Sequence, residues 1–369
     1  MSYLEAIKIA FLTFPFLAFL FTIPFILWQY HKYGSINKLR VLIIYSFILY
    51  MISVYFLAIF PLPDRDSIDM NSPVSQLIPF AFVFDIIKDS AEIKSIGMFF
   101  QSSSVYTVLF NILMFMPFGM YLRYYFKNDL KKTVIFSFMF SLFLEITQLT
   151  GLYFIYPHPY RLFDVDDLMI NTLGGIIGYL VMGIFMKFLP SRDNIDSKSF
   201  EEGKKVSGLR RITRFGLDAF LWLIFTGVLS SLINVNHIVL ISLIIYYVII
   251  PFIFNGQTLG SKFLNMRLVF PNKRLLRLFL RLVLIFLYYV VIPFGLGLLF
   301  IFVIKHFSIP NVLVFVIGAI YVLLLGIFYL VNVTNIFKRK ILFYDRVLNG
   351  EYVSTIGEDD LQKCEKNKI

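Results

Sequence analysis

The sequence predicts an all-α protein that is embedded in a membrane through about nine helices. Hydrophobic residues fill 59% of its 369 positions and charged residues only 15%, whereas soluble domains are about 45–50% apolar and about 25% charged. The mean hydropathy is +0.78. A water-soluble fold of this length could not bury so much apolar surface, so lipid must be the solvent for most of the chain.

Nine segments are long and apolar enough to form spanning helices. A helix needs about 20 mostly apolar residues to cross the hydrocarbon core of a bilayer. Turn and charge signals separate the segments, as in Pro61-Leu62-Pro63-Asp64 after the second. The predicted spans are 6–30, 41–61, 105–124, 133–150, 167–189, 213–233, 237–254, 278–304 and 311–334.

Basic residues lie almost entirely on one side of these spans. Alternate connections and the carboxyl-terminal tail together carry 28 of the 34 lysines and arginines. Cytoplasmic loops of membrane proteins are enriched in these residues. We therefore expect the amino terminus outside the cell and the carboxyl terminus inside it.

A polar stretch inside the chain divides the spans into two bundles, one of five helices and one of four. Residues 190–212 are charged and contain Gly and Ser, unlike the apolar segments on either side. The predicted parts are a five-helix transmembrane domain at 1–190, a cytoplasmic linker at 191–206, a four-helix transmembrane domain at 207–355 and a polar cytoplasmic tail at 356–369.

Ionisable and amide side chains cluster at one depth of the first bundle. Such groups are costly inside a membrane and therefore mark functional candidates. The predicted topology puts all of them at the extracytoplasmic ends of their helices, and their spacing puts several on shared helix faces. The candidates for a ligand-binding site are Asn111, Glu145, Gln148, Arg161, Asp164, Asp167 and Asn171. Asp166 falls on a different helix face and is the weaker candidate.

The chemistry of this set favours recognition of a polar headgroup. An arginine beside carboxylates suits a zwitterionic or phosphate-bearing ligand, with Arg161 as the anion contact. Glu145, Asp164 and Asp167 are candidate catalytic groups, with Glu145 as a general acid or base. The alternative is that Arg161 pairs with Asp164 or Asp167 and the cluster only holds helices together. No Ser-His-Asp set or nucleotide-binding loop favours a particular reaction, so an enzymatic activity stays open.

The order and spacing of these residues resemble the VanZ-like membrane family over about residues 40–190. The matching residues are Asn111, Phe115, Pro117, Gly119, Glu145, Gln148, Arg161, Asp164, Asp167, Asn171, Gly174 and Gly175. The family takes its name from a protein associated with low-level resistance to the lipoglycopeptide teicoplanin. The resemblance implies a bacterial cell-envelope protein of the plasma membrane, with a cell-wall or lipid-linked ligand and no defined reaction.

A second polar set lies in the second bundle and the tail. Arg214 and Asp218 are one helical turn apart, and Asp345 follows in an amphipathic segment. These residues resemble the RDD family over about 207–355, with Gly260-Ser261-Lys262 where the family shows Gly-Lys. Some relatives have been suggested to exchange cations for protons. The alternative is an internal salt-bridge cluster that pins the tail under the bundle.

Three functional hypotheses follow from these observations. The first is a binding protein for a lipid or glycopeptide-related headgroup at the extracytoplasmic cluster. The second is an ion- or proton-coupled transporter in which Glu145 exchanges ions and Arg214, Asp218 and Asp345 form an inner gate. The third is a scaffold for an envelope partner.

Composition also limits the cofactors and partners. The single cysteine, Cys364, excludes an intrachain disulfide and a cysteine-based metal cluster. The four histidines are dispersed without metal-ligand spacing, so we predict no metal and no cofactor. The net charge of +11 reflects cytoplasmic loops rather than nucleic-acid binding. The predicted partners are membrane lipids.

Overall fold

The computed structural model describes residues 3–90, 99–100, 102–233, 235–307 and 310–357. Cys364 and most of the predicted tail lie outside these residues. The prediction of an all-α polytopic membrane protein is confirmed, because eight of the helices in the described part are long and apolar enough to cross a bilayer. Their orientation in the membrane stays a prediction.

The chain forms two compact units whose sequence segments are interleaved. Unit 1 comprises Met1–Thr22 and Lys38–Ile195, and unit 2 comprises Ile23–Asn37 and Asp196–Ile369. The sequence analysis placed all of 1–190 in the first domain, whereas Ile23–Asn37 contacts the second unit. Within unit 2, Ser35 donates a hydrogen bond to the carbonyl of Ser199 at 2.7 Å.

Five long helices and one short helix build unit 1, the first of them shared with unit 2. All five long helices contain a candidate membrane span, and the short helix lies in the connection between the second and third predicted spans. The helices are α1 (Tyr3–Tyr33), α2 (Lys38–Ile59), α3 (Ala81–Ser90), α4 (Ser103–Tyr124), α5 (Leu130–Leu149) and α6 (Val165–Phe185).

Glycines let α4 and α6 approach each other closely. A Cβ atom at Gly178 would lie 1.9 Å from the carbonyl oxygen of Met116, and one at Gly119 would lie 1.9 Å from that of Gly175. Small residues permit such backbone contact between membrane helices. The helices α4, α5 and α6 therefore form a tight core, with Phe115 and Leu144 buried in it.

A short parallel sheet joins the connection between α2 and α3 to the connection between α5 and α6. Strand β1 (Ser75–Gln76) runs parallel to β2 (Phe163–Asp164), which leads directly into α6. After α5, residues Gly151–Phe154 form one left-handed turn with φ between +57° and +67°. Three of these four residues carry side chains, which disfavour this region by about 1–2 kcal/mol per residue.

The described part of unit 2 contains three candidate membrane spans, one shorter apolar helix and several short elements. The predicted linker 191–206 forms a helix that crosses the boundary between the units. The helices are α7 (Arg192–Gly203), α8 (Gly208–Leu232), α9 (Ile238–Ile253), α10 (Leu259–Phe263), α11 (Arg274–His306), α12 (Asn311–Phe337) and α13 (Phe343–Val347).

The predicted span 237–254 is shorter than a full membrane helix. It corresponds to α9, which is apolar but falls below the length of the eight candidate spans, so the count of nine holds only if α9 is included. Its centre is a π-helical turn at Ile245–Ile249 followed by Pro251. This turn contains the sequence Tyr246-Tyr247-Val248. A second Tyr-Tyr-Val sequence lies in α11, where it also forms a π turn, Leu287–Val291, ahead of Pro293.

A two-stranded sheet completes unit 2. Strand β3 (Met266–Val269) pairs antiparallel with β4 (Glu351–Ser354). Leu264 and Met266 are fully buried and pack with Tyr30 from the end of α1. The segment Ile23–Asn37 thus supplies part of the core of this unit.

Candidate functional site

The end of α5 and the start of α6 bring the predicted carboxylates together. Glu145 is only 2% exposed, and its carboxylate accepts a hydrogen bond from the main-chain N–H of Asp164 at 3.0 Å. Asp164 caps α6, because its own carboxylate accepts from the N–H of Asp166 at 2.8 Å. The Glu145 side chain is therefore held against the main chain of Asp164, at the residue that caps α6.

Asp167 and two asparagines extend this cluster across three helices. The amide of Asn111 on α4 donates to Asp167 at 2.7 Å. The amide of Asn171 donates to Ser141 on α5 at 2.9 Å, and the Ser141 hydroxyl lies 3.4 Å from the carbonyl oxygen of Asp167. The side-chain oxygen of Asn171 is buried without a hydrogen-bond partner. Ser141 is a contributor that the sequence analysis missed.

Arg161 lies beside these carboxylates without forming an ion pair. Its Nη2 donates to the carbonyl of Phe60 at 2.5 Å, and none of the described acidic groups comes within the 4.0 Å of a salt bridge. It is nevertheless close enough to attract Glu145 and Asp167 electrostatically. The alternative in which Arg161 pairs with Asp164 or Asp167 is therefore not what the structure shows.

Gln148 takes part in helix packing rather than in the carboxylate cluster. It is buried, and its amide donates to the carbonyl of Ala58 near the end of α2 at 2.8 Å. The last carbonyl groups of a helix have no partner within the helix. Gln148 supplies one, so its amide is occupied by the main chain.

Asp166, the weaker candidate from sequence, instead holds α3 in place. It is buried, and it accepts hydrogen bonds from the N–H groups of Phe80 at 2.6 Å and Phe82 at 2.9 Å. A carboxylate at a helix amino terminus is favoured by the unpaired N–H groups and by the helix dipole. Gln76 on β1 bridges Asp164 and Asp166 at 3.3 and 3.4 Å.

Burial raises the pKa of Asp164 above its ordinary value of 3.8. The hydrogen bond from the N–H of Asp166 acts in the opposite direction, and the nearby carboxylates of Asp166 and Asp85 raise the pKa further. Asp164 therefore holds its proton more tightly than a solvent-exposed aspartate. Among the described residues, no group of three His, Cys, Asp or Glu side chains could hold a metal ion.

In unit 2, Asp218 is the centre of a saturated hydrogen-bond network. Its side chain is 0% exposed, and Arg214 lies one turn away with an N–O distance of 3.4 Å. One carboxylate oxygen accepts from the Tyr246 hydroxyl at 3.0 Å and from the Gly260 N–H at 2.9 Å. The other accepts from the Thr258 hydroxyl at 2.7 Å. The sequence analysis identified Arg214 but missed the other three donors.

Asp345 has a different arginine as its partner. Nε of Arg281 donates to Asp345 at 2.6 Å, and Nη2 of Arg281 donates to the Tyr352 hydroxyl at 2.8 Å. The guanidinium of Arg214 lies 5.1 Å from the ring centre of Tyr352. Tyr352 thus links the two ion pairs. Arg281 lies within the eighth predicted span, 278–304, and nothing in the sequence set it apart.

Arg210 is a buried arginine that the sequence analysis did not select. It is fully buried and donates to the carbonyl oxygens of Leu264 at 2.8 Å and Gly203 at 2.9 Å, and also to that of Asn265. Arg277 likewise donates to the carbonyl of Leu348 at 2.7 Å. These cations tie the ends of elements together, so their first role is structural.

Comparison with known proteins gives a family for part of the chain. The model of the VanZ/LLP1 family matches residues 47–186. The match lies within unit 1 and includes all seven predicted ligand-binding residues. No curated protein and no solved structure matches the chain. Residues 47–186 are thus similar to this family, and the chain is a multi-pass membrane protein, consistent with a bacterial membrane. The RDD resemblance of 207–355 stays a prediction.

Proposed function

We propose that unit 1 binds the polar headgroup of a lipid or of a lipid-linked cell-wall compound, and that it contributes in this way to resistance against glycopeptides of the teicoplanin type. The ligand is held at the extracytoplasmic cluster of Asn111, Glu145, Arg161, Asp164 and Asp167. The VanZ/LLP1 match over 47–186 supports the envelope context. The arrangement of charges supports headgroup binding.

The observation that carries this proposal is the state of Arg161. A guanidinium has five N–H donors, and the structure uses one side of this group for a main-chain carbonyl. Arg161 is half-buried, attracted by two carboxylates and paired with neither. Arg277 also donates to a main-chain carbonyl without an ion pair, but Arg161 differs because two carboxylates lie close enough to attract it. The remaining donors suit the phosphate or carboxylate of a ligand, while the carboxylates suit its ammonium or hydroxyl groups.

Binding is better supported than a chemical step. Glu145, Asp164 and Asp167 are the groups that would transfer a proton if the ligand were also processed. The Asp167 carboxylate accepts a hydrogen bond from the amide of Asn111, and that of Glu145 accepts one from the N–H of Asp164, which leaves acceptor sites on both for a ligand. Both carboxylates are thus positioned mainly by hydrogen bonds within the protein.

The alternative of an exchanger built on the RDD-like part has less support. A carboxylate that carries ions or protons must be able to give up its partners. Asp218 accepts from Tyr246, Gly260 and Thr258 and also faces Arg214, so releasing it would leave several buried donors unpaired. We propose instead that the Arg214, Asp218 and Asp345 cluster locks the cytoplasmic elements of an RDD-like domain together.

Lipid binding by variants that lack one positive charge tests the headgroup site. Arg161→Ala and, as a matched control, Lys127→Ala are purified as full chains and analysed by native mass spectrometry with added phosphatidylglycerol. Lys127 is an exposed cation of unit 1 whose partner is Asp193. Removing charged hydrogen bonds worth about 1.5–3 kcal/mol predicts a roughly 10- to 160-fold weaker affinity for Arg161→Ala and no change for the control.

Susceptibility assays complete this test in cells. In a strain whose teicoplanin susceptibility rises when the gene is deleted, Arg161→Ala should behave like the deletion and Lys127→Ala like the wild type. Equal lipid binding and equal susceptibility for the two variants, at equal protein levels, would show that Arg161 does not form a headgroup site.

A further inference from the structure

Helix α3 and the residues before it carry an unusual amount of exposed apolar surface for a segment that does not span the membrane. Phe84 is 71% exposed and Ile87 is 62% exposed. The exposed large apolar side chains of this segment are Leu77, Ile78, Phe80, Val83, Phe84 and Ile87. Contiguous apolar surface of this kind marks an interaction site when water is the alternative solvent.

The side chains of α3 divide into three arcs around the helix axis. At 100° per residue, Val83, Phe84 and Ile87 fall together and are exposed. Asp85 and Lys88 form a second exposed arc, which is charged. Phe82 lies on the third arc and is less exposed. An apolar arc next to a charged arc is the pattern of a helix that lies in the plane of a membrane surface.

Helix α3 lies against a helix that is long and apolar enough to cross the membrane. Helix α3 contacts α4, and the Ser104 hydroxyl at the start of α4 donates to Asp89 near the end of α3 at 2.6 Å. Helix α4 is a candidate membrane span, and Leu113 on it is exposed. The contact places α3 at one end of this span, which is the depth of the headgroup region.

Helix α3 is also fixed to the carboxylate cluster. Asp166 binds the N–H groups of Phe80 and Phe82, and it is the residue between Val165 and Asp167 at the start of α6. The carboxylate cluster and the apolar arc therefore belong to the same end of unit 1. The hydrogen bonds of Asp166 connect the start of α3 to the start of α6.

We propose that α3 is an interfacial helix whose Val83, Phe84 and Ile87 side chains insert among the acyl chains of the leaflet next to the carboxylate cluster. The occupant of this surface is the phospholipid of that leaflet. Asp85 and Lys88 then lie at the headgroup level, where charged side chains can stay hydrated. The inference rests on exposure and contacts of α3 and holds whether or not Arg161 binds a headgroup.

Site-directed spin labelling of the full chain tests this placement. In a Cys364→Ser background, single cysteines at Phe84 and Ile87 are compared with matched cysteines at Asp85 and Lys88. The labelled proteins are placed in vesicles of phosphatidylcholine and phosphatidylglycerol, and power saturation is measured with oxygen, which partitions into lipid, and with a water-soluble nickel chelate.

The expected result is that labels at 84 and 87 collide several-fold more often with oxygen than with the nickel chelate, and that labels at 85 and 88 show the opposite ratio. Nickel accessibility at 84 and 87 equal to that at 85 and 88 would overturn the proposal. Low accessibility to both reagents at 84 and 87 would also overturn it, because the face would then be covered by protein, either a second copy or a partner.

The outcome is separable from that of the headgroup site. In an Arg161→Ala background the label pattern at 84 and 87 should not change, since Arg161 donates its hydrogen bond to Phe60 while Asp166 holds the start of α3. If the cysteine variant at Phe84 or Ile87 misfolds, as judged by its size-exclusion profile, a cysteine at Val83 replaces it. Val83 lies on the same apolar arc and must give the same oxygen-dominated ratio.

Discussion

Replacing Asp218 with asparagine should destabilise unit 2 strongly, although the two side chains have nearly the same shape. All four groups that contact the carboxylate are donors: Arg214, Tyr246, Thr258 and the N–H of Gly260. An asparagine has one acceptor oxygen and one donor nitrogen. Whichever way the amide is turned, its NH₂ group faces either Arg214 or the Gly260 N–H, and neither of these can rotate into an acceptor.

The magnitude follows from the burial of the pair. The Asp218 side chain is 0% exposed and that of Arg214 is 13% exposed, so removing one charge leaves the other buried and uncompensated. Breaking a buried ion pair in this way costs about 3–5 kcal/mol. At about 2–4 °C per kcal/mol for a domain of about 150–250 residues, we expect the melting temperature of unit 2 to fall by roughly 6–20 °C.

Tryptophan fluorescence provides a selective assay for this change. The chain has two tryptophans, Trp28 and Trp222, and both belong to unit 2. Thermal unfolding of the full chain in detergent micelles, followed by this signal, therefore reports on the unit that contains Asp218.

Glu201→Gln is the matched control, because it makes the same carboxylate-to-amide change in an exposed pair. Its partner is Lys204 at 2.6 Å, with side chains 69% and 59% exposed, and such pairs contribute about 0–1 kcal/mol. A melting temperature for Asp218→Asn that matches that of Glu201→Gln would refute the reasoning. It would mean that the network tolerates a neutral side chain at this position.

Three further predictions address the packing of unit 1, its pH response and the interleaving of the units. Gly178→Ala should lower thermal stability by about 1–3 kcal/mol, the typical cost of overpacking, because its Cβ would lie 1.9 Å from a carbonyl oxygen of α4. Gly227→Ala, with nothing within 4 Å, should be neutral or slightly stabilising, as measured by recovery on size-exclusion chromatography after heating. Asp164→Asn keeps a helix cap but loses a carboxylate whose pKa is raised by burial. Wild-type stability falls as the pH rises above the ordinary aspartate value of 3.8 and through the raised pKa of Asp164. The melting temperature of the variant should therefore rise relative to that of the wild type as the pH is increased from acidic to neutral, and an unchanged difference would contradict the assignment. Fragment 205–369 alone should be unstable, because it lacks Ile23–Asn37 of unit 2. Co-expression with 1–204 should restore the tryptophan melt, and a stable, cooperatively melting 205–369 alone would contradict this.

Proximity in the carboxylate cluster was predictable because a short connection forces it. The helix α5 ends at Leu149 and α6 begins at Val165, so acidic residues near those two ends must lie at the same depth. Spacing along a helix then selects which of them share a face. Asn111 could be added only through the count of spans, and its 2.7 Å contact with Asp167 agrees with that count.

Hydrogen-bond partners were not predictable where they depend on main-chain atoms of distant segments. Arg161 and Gln148 both donate to carbonyls at the end of α2, those of Phe60 and Ala58. Their polarity marked them as site residues. No sequence pattern predicts which main-chain carbonyl at the end of a helix will accept a hydrogen bond from a distant side chain. For the same reason Asp166 was undervalued, since the N–H groups that it binds belong to the start of α3, more than 80 residues earlier.

The interleaved units show the same limit at a larger scale. A polar stretch suggested that the chain changes domain once, near 191–206, yet α1 contributes Tyr30 to the buried core of unit 2. The hydropathy pattern predicts α1 as a single apolar span, because contact with lipid and burial within a protein core favour the same apolar residues. What distinguishes the two ends is contact: the end of α1 has His31 bonded to the carbonyl of Phe263 and Asn265 bonded to the carbonyl of His31. Polar contacts of this kind hold α1 to unit 2, so cutting the chain at the linker does not separate two complete domains.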